Sequence, residues 1–345
     1  MNRQTPNKKE FFYTMINQET LEQIEDCKLK SEVLKKENIP ILEEILNKEI
    51  EEYKKLKRLN EEGKLNFGKK LKNKELQKTF VDIKKEVDEF LQVQNIESPE
   101  IGYYNIFQFR KTNLKYAGVY AALASILTPA AYYAITNFNP IAIFGTIAGT
   151  MIAKGIIEYH KEEYNISTYS PLEETIDLSK KDANKTNNIV ISAHEYTHHI
   201  LSKKGILQAT VNTYGTSYES FSEGISRGVE RHISKVWSEK EDNPSYRYNA
   251  LNRGLYELKK TYEWTCHKLG VKRNKALLKT KTTTDEDVDK AVNVLIKENM
   301  AIETIITRLR KTKEAGSYDI GNTYFTIQEA KYGAEIYAQA VKRLE

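Results

Sequence analysis

Two histidines and a glutamate in one short segment have the types and spacing of a metal site. His194, Glu195 and His198 form the pattern H-E-x-x-H. Residues four apart lie on the same face of an α-helix, so both imidazoles can converge on one ion. Histidine nitrogens are common zinc ligands, and a neighbouring glutamate can take a proton from a zinc-bound water. The segment therefore predicts a Zn²⁺ site for hydrolysis, with Glu195 as the general base.

A catalytic zinc needs a third protein ligand, and the candidates lie downstream of the motif. No third histidine follows at the H-E-x-x-H-x-x-G-x-x-H spacing, which excludes a metzincin. The next predicted helix, over residues 217–237, carries three glutamates on one side: Glu219, Glu223 and Glu230. Glu223 precedes Gly224, which permits close helix packing, and Glu219 is its rival one turn earlier. His199 points away from the shared face and is expected to be an ordinary helix residue.

The elements around these residues predict a small sheet followed by two helices. Residues 166–169 and 174–178 have the composition of short strands and are separated by a Ser-Pro turn signal. A polar loop follows, and the H-E-x-x-H helix is expected from Ile189 to about Lys203, with possible caps at 186–187. The second helix has a helical apolar side made of Phe221, Ile225, Val229, Ile233 and Val236. These elements predict an α+β fold that is mainly helical.

This arrangement resembles the gluzincin metallopeptidases, and the compact minigluzincins in particular. The likeness covers about residues 166–238 and rests on H-E-x-x-H followed by a glutamate in an E-G-x-x motif on the next helix. It implies a zincin-like core in which segment 169–178 is similar to the edge strand that aligns an extended peptide. The substrate would be a peptide or an unfolded protein. The resemblance implies zinc ligands at His194, His198 and Glu223, with Glu195 as general base.

The sequence departs from the family pattern in the residues that support the ligands. Thermolysin-like members have an aspartate one turn after the ligand glutamate, which orients a histidine, and here that position is Arg227. Glu230 is the candidate for this supporting role. The donor that stabilises the transition state in relatives stays open among His232, Tyr214 and Tyr318. Arg227 favours the alternative of a binding or assembly protein with a degenerate or structural zinc site, whereas the intact Glu195 favours the peptidase.

The rest of the chain combines charged segments with one long uncharged run. Of 345 residues, 29% are charged, and the net charge of +5 is too balanced to demand a nucleic-acid partner. Yet residues 116–153 contain no Asp, Glu, Lys, Arg or His. The run splits at an Asn-Pro pair into two apolar halves, which predicts a transmembrane or re-entrant hairpin over 116–157. Basic residues on both sides place its ends, and the zinc domain, in the cytoplasm.

Residues 1–94 are predicted to form a charged helical or coiled-coil arm. Apolar residues recur at helical spacing in two stripes, 42–56 and 76–90, and the simplest picture is an antiparallel hairpin with a turn at 63–68. Residues 95–115 are a linker or strand, with 101–109 the candidate strand. Residues 158–345 form the zinc domain with a helical C-terminal extension. The hypothesis is a membrane-anchored zinc metallopeptidase; a soluble zinc hydrolase with a buried hairpin is a further alternative.

Overall fold

The structure is a computed structural model that describes residues 27–103, 167–170, 174–180, 183–205, 218–282 and 315–344. The helices within these ranges are α1 Cys27–Val33, α2 Asn38–Glu61, α3 Asn73–Leu91, α4 Lys185–Lys203, α5 Tyr218–Lys240, α6 Ser245–Lys268, α7 Lys275–Leu278, α8 Ser317–Tyr332 and α9 Glu335–Lys342. The strands are β1 Glu100–Tyr103, β2 Thr168–Ser170 and β3 Thr175–Leu178. The predicted fold class, α+β and mainly helical, is confirmed.

The three strands form one mixed sheet in the order β1-β3-β2. β3 lies in the centre and is buried along its whole length. It pairs in parallel with β1, Tyr103 opposite Leu178, and antiparallel with β2, Tyr169 opposite Ile176. The sequence of residues 169–178 resembles an edge strand that aligns a peptide. Within that segment, β2 lies at an edge of the described sheet, whereas β3 lies in its centre. β1 lies at the start of the strand predicted over 101–109, whose remainder falls outside the described residues.

The H-E-x-x-H helix α4 begins at Lys185, four residues earlier than predicted. The side chain of Asn184 caps it by accepting a hydrogen bond from the backbone nitrogen of Asn187. The polar first turn concealed this start, because its residues carry no apolar periodicity. After Lys203 the chain reaches Gly205, whose φ of +68° is a conformation that glycine adopts without strain.

Helices α5 and α8 cross at a contact between two glycines. A Cβ atom added to Gly321 would lie 1.8 Å from the carbonyl oxygen of Ser220, and one added to Gly224 would lie 2.5 Å from the carbonyl oxygen of Gly321. Neither backbone can approach the other if a side chain intervenes. The close packing expected at Gly224 is thus confirmed, and the first turn of α8 lies beside the glutamate that precedes this glycine.

The two N-terminal stripes form helices α2 and α3, but they do not face each other. The buried side of α2 packs against α6, where Tyr53 stacks on Tyr248 at 5.7 Å between ring centroids. The buried side of α3 packs against α4 and β1, where Phe80 meets Tyr196 at 5.5 Å. The structure differs here from the antiparallel hairpin pictured from the sequence, because an apolar stripe predicts a buried face without specifying what covers it.

The apolar hairpin predicted over 116–157 lies outside the described residues. Among the helices that the structure does describe, none combines the length and the apolar character needed to cross a bilayer.

The glycine crossing gives a test of this packing. Gly321→Ala should destabilise the fold by about 1–3 kcal/mol, because its methyl group would overlap the Ser220 carbonyl oxygen and force the helices apart. Gly254, within α6, is the matched control, since an added Cβ there meets no atom within 4 Å. Gly254→Ala should be neutral or stabilise by about 0.5–1 kcal/mol. Denaturant unfolding of both variants checks this, and equal effects would contradict the crossing.

Candidate metal centre

His194, His198 and Glu223 come together between α4 and α5, with one ligand atom of each within 4.8 Å of the others. The two histidine Nε2 atoms are 3.0 Å apart. Glu223 Oε2 lies 3.3 Å from His194 Nε2, and Glu223 Oε1 lies 3.2 Å from His198 Nε2. Tetrahedral zinc with ligand bonds of about 2.0–2.1 Å separates its donor atoms by about 3.3 Å. The contacts of the two histidines with each other and with the two oxygens of Glu223 are therefore close to the donor separation around one such ion.

The state of Glu223 also fits a bound cation. The residue is only 6% exposed, and its Oε2 is buried without a hydrogen bond. Burial favours the neutral acid, but contacts with His194 and His198 outweigh it and hold the pKa of Glu223 well below its usual range. A buried carboxylate needs a compensating positive charge, which protonated His194 supplies in the metal-free protein and a metal ion can supply when the histidines are neutral. This group of residues can therefore hold a metal ion.

Glu230 lies about two turns after Glu223 on α5 and contacts His194 of α4. Its Oε1 lies 3.0 Å from His194 Nδ1, on the far side of the ring from the ligand nitrogen. Burial opposes a charge on His194, but Glu223 and Glu230 outweigh it and raise the pKa of His194 to about 10 in the metal-free protein. The supporting role expected for Glu230 thus agrees with the geometry, since a carboxylate at Nδ1 fixes both the tautomer and the ring orientation.

Arg227, at the position where the sequence resemblance predicts an aspartate, contacts Glu230 and not the histidine. One guanidinium nitrogen donates to both oxygens of Glu230 at 3.0 Å. The other side of the guanidinium donates to Glu257 on α6, at 2.7 and 3.2 Å. Because Arg227 and His194 both contact Glu230, its pKa stays well below the usual range despite burial. Arg227 is therefore part of the ligand support.

His198 has its own support, which the sequence did not reveal. Its Nδ1 lies 2.6 Å from the hydroxyl oxygen of Ser222. Ser222 directly precedes the ligand Glu223, but no spacing rule predicts this contact, because it joins two helices. Both histidines thus have Nδ1 close to a polar group of α5, and both Nε2 atoms face Glu223.

Glu195 is buried beside the cluster, at 7% exposure. Burial raises its pKa, and the charges of Glu223 and Glu230 add to this, while the two histidines oppose it. A raised pKa makes a carboxylate a stronger proton acceptor than an ordinary one. Together with His194 it lines a cavity of about 260 Å³, so it faces space that a substrate can enter.

Two other predicted residues lie away from the cluster. Glu219 is partly buried one turn before Glu223 and is not in the group of three. His199 points to the opposite side, as predicted, where Nε2 donates to the Glu97 carbonyl at 2.8 Å and Nδ1 contacts the Tyr169 hydroxyl at 3.0 Å. His199 therefore connects α4 to β2 and to the segment before β1.

The three candidate transition-state donors have different positions. His232 stacks on Phe90 at 4.0 Å and lines a separate cavity. Tyr214 lies outside the described residues. Tyr318, in the first turn of α8, is 44% exposed, and burial together with the charges of Glu223 and Glu219 raises its pKa. Of the two described candidates, Tyr318 is the one whose pKa is affected by the charge of Glu223.

No protein-family model matches the chain, and neither the curated proteins nor the solved structures contain a match. The function is therefore inferred from the residues of the site and their geometry, because a fold alone does not determine a function.

Metal content tests the cluster directly. The zinc-loaded protein should retain one equivalent of metal after desalting. Glu223→Ala should weaken zinc binding by more than about 100-fold, because losing a ligand costs more than losing a supporting residue. Glu219→Ala, the same change one turn away, should leave zinc binding unaltered. Competition with a coloured chelator measures both affinities, and an undiminished equivalent in His194→Ala/His198→Ala would contradict the site.

Proposed function

We propose that this chain is a zinc-dependent metallopeptidase of the gluzincin type, built on a zincin-like core. The observation that carries the proposal is the meeting of both motif histidines with Glu223 of the next helix, with Glu195 buried beside them. Structural zinc sites are closed by four protein ligands, whereas catalytic sites keep a position open. Within the described ranges, the cluster offers three ligands, which supports a catalytic role.

Several residues of the chain would have separate roles in peptide hydrolysis. When bound, zinc would lower the pKa of a water molecule and polarise the scissile carbonyl. Glu195 accepts the proton of the attacking water and passes it to the nitrogen of the leaving amine as the carbon–nitrogen bond breaks. Glu230 and Ser222 hold the two histidines in the orientation that leaves Nε2 available.

Tyr318 is proposed as the donor to the carbonyl oxygen in the transition state. The glycine crossing brings the first turn of α8 beside Glu223, and Tyr318 lies one helical turn before Gly321 on the same side of α8. Its hydroxyl is near Glu223 and Glu195, whose charges help to raise its pKa. A neutral hydroxyl beside the reacting carbonyl can stabilise the negative charge that develops on the oxygen.

The main alternative is a binding or assembly protein with a degenerate or structural zinc site. Its support from the sequence was Arg227 at the position of the expected aspartate. Glu230 contacts His194 in place of that aspartate, so the supporting carboxylate is present. A purely structural site also has no need of a buried carboxyl group such as Glu195 next to its ligands. The contact of Glu230 with His194 and the buried position of Glu195 both favour the peptidase.

The membrane anchor is a proposal supported by the sequence alone. The uncharged run and its flanking basic residues support a hairpin over 116–157 with the catalytic domain on the cytoplasmic side. Extended peptides or unfolded proteins would then be cleaved in the cytoplasm, close to the membrane. If the hairpin is instead buried, the same site would belong to a soluble zinc hydrolase.

Glu195→Gln separates the peptidase from the alternative. The variant keeps the size of the side chain but cannot take a proton, so zinc content should stay at one equivalent while kcat falls by about 10²–10⁴-fold. Hydrolysis of an unfolded protein such as reduced casein, followed by mass spectrometry, provides the measurement. Unchanged turnover would reject Glu195 as the base, and wild-type protein that holds zinc without cleaving would favour the binding protein.

Tyr318→Phe tests the proposed donor. Removing only the hydroxyl should lower kcat by about 100-fold, with KM within about threefold and zinc content unchanged, because the lost interaction forms in the transition state. Tyr332→Phe, at the opposite end of α8 and 69% exposed, is the matched control and should retain full activity. Equal kcat values for the two variants would exclude Tyr318 from catalysis.

A further inference from the structure

The cavity beside Glu195 has the size of a pocket for one side chain. Its volume is about 260 Å³, and it is lined by His194 and Glu195 of α4 and by Arg253 of α6, among others. Pockets that take a whole small molecule measure roughly 300–1,000 Å³, so this space suits a single residue of a longer ligand. His198 and Glu223 do not line it. The cavity therefore lies on the Glu195 side of the cluster.

The cavity wall is polar and carries two guanidinium groups, Arg227 and Arg253, and two carboxyl groups, Glu195 and Glu230. The two guanidinium groups differ in how closely protein carboxylates hold them. Arg227 is engaged by two carboxylates, Glu230 and Glu257. Arg253 has a looser contact, with one terminal nitrogen 3.4 Å from Glu230 Oε1, an oxygen that Arg227 already holds. That nitrogen is buried and makes no hydrogen bond. Because a guanidinium has five N–H donors, Arg253 retains capacity for another acceptor.

The position of Glu195 indicates which substrate residue enters the cavity. In the proposed reaction Glu195 must reach the nitrogen of the leaving amine. That nitrogen belongs to the residue that follows the scissile bond. A side chain on this residue therefore starts next to Glu195 and can extend along the cavity towards Arg253.

On the basis of the proposed peptidase function, we propose that this cavity selects a carboxylate on the residue that follows the scissile bond, with Arg253 as the residue that determines this specificity. Guanidinium and carboxylate form charge-assisted, often bidentate hydrogen bonds, which are strongest when partly removed from water. The carboxylate can come from an aspartate or glutamate side chain, or from the free C-terminus of a substrate cleaved before its last residue.

The test compares kcat/KM for matched peptides that differ only in the residue after the cleaved bond. The zinc-loaded full chain should cleave the glutamate peptide about 10–100-fold better than the glutamine peptide. Arg253→Gln should reduce the glutamate-to-glutamine ratio to about one, mainly through KM, and Arg253→Lys should restore part of it. Arg273→Gln removes the same charge from an exposed position on the segment after α6, and it should leave the ratio unchanged.

Each result bears on the proposal in a defined way. Because Arg253 also approaches Glu230, zinc content is measured for every variant, and a ratio taken within one variant cancels any common loss of active protein. A wild-type ratio near one, or an unchanged ratio in Arg253→Gln, overturns the inference and leaves the peptidase standing. If the wild type cleaves no peptide, the proposed function fails and this inference fails with it.

Two further measurements separate the carboxylate sources and provide a readout without turnover. Amidating the peptide C-terminus should leave cleavage unchanged if a side chain is recognised, and should abolish it if the terminal carboxylate is recognised. In zinc-loaded Glu195→Gln, calorimetry should show about 10–100-fold tighter binding of the glutamate peptide than of the glutamine peptide. That difference should disappear in Glu195→Gln/Arg253→Gln, and its persistence would exclude Arg253.

Discussion

The buried carboxylate of Glu230 is the contact on which the rest of the site depends. At 2% exposure it has almost no water to stabilise its charge, so protein groups must do so. Arg227 donates to both of its oxygens, and His194 lies at 3.0 Å. Once the ring loses a proton to bind a metal, a carboxylate at Nδ1 favours the tautomer with the remaining proton there, which leaves the lone pair on Nε2. The contact between the buried Glu230 and His194 thus supports metal binding by the histidine.

That ionic contact requires four helices to meet in one place. Arg227 compensates Glu257 on α6 as well as Glu230, and Glu257 receives a further hydrogen bond from Asn322 of α8 at 3.0 Å. Asn322 immediately follows Gly321, at the crossing where α8 touches α5 without an intervening side chain. The glycine contact and the buried charges are therefore one arrangement. A wider crossing would withdraw Asn322 from Glu257 and Tyr318 from the cluster.

The parts of the site that were predictable depend on spacing within one helix. The four-residue interval of H-E-x-x-H, the apolar side of α5 and its row of glutamates are all read from local periodicity. Ser222, Glu257 and Arg253 were not predicted, because each acts across an interface between helices distant in sequence. The elements that pack against α2 and α3 could not be predicted for the same reason. An apolar stripe determines which face is buried, and the rest of the fold determines what covers it.

The way α4 and α5 pack against each other explains the position of Arg227. Ser222, early in α5, contacts His198, late in the motif, whereas Glu230, late in α5, contacts His194, so the two helices run antiparallel across the site. Seven residues separate Glu223 from Glu230, which is close to two turns, and both side chains face α4. Arg227 lies between them on the same side, where its charge reduces the repulsion of two buried carboxylates. With an aspartate at that position, three acids at 223, 227 and 230 would face the site, and their mutual repulsion would be larger. Arg227 thus allows the two buried carboxylates, Glu223 and Glu230, to face the histidines together, which is compatible with a group that can hold a metal ion.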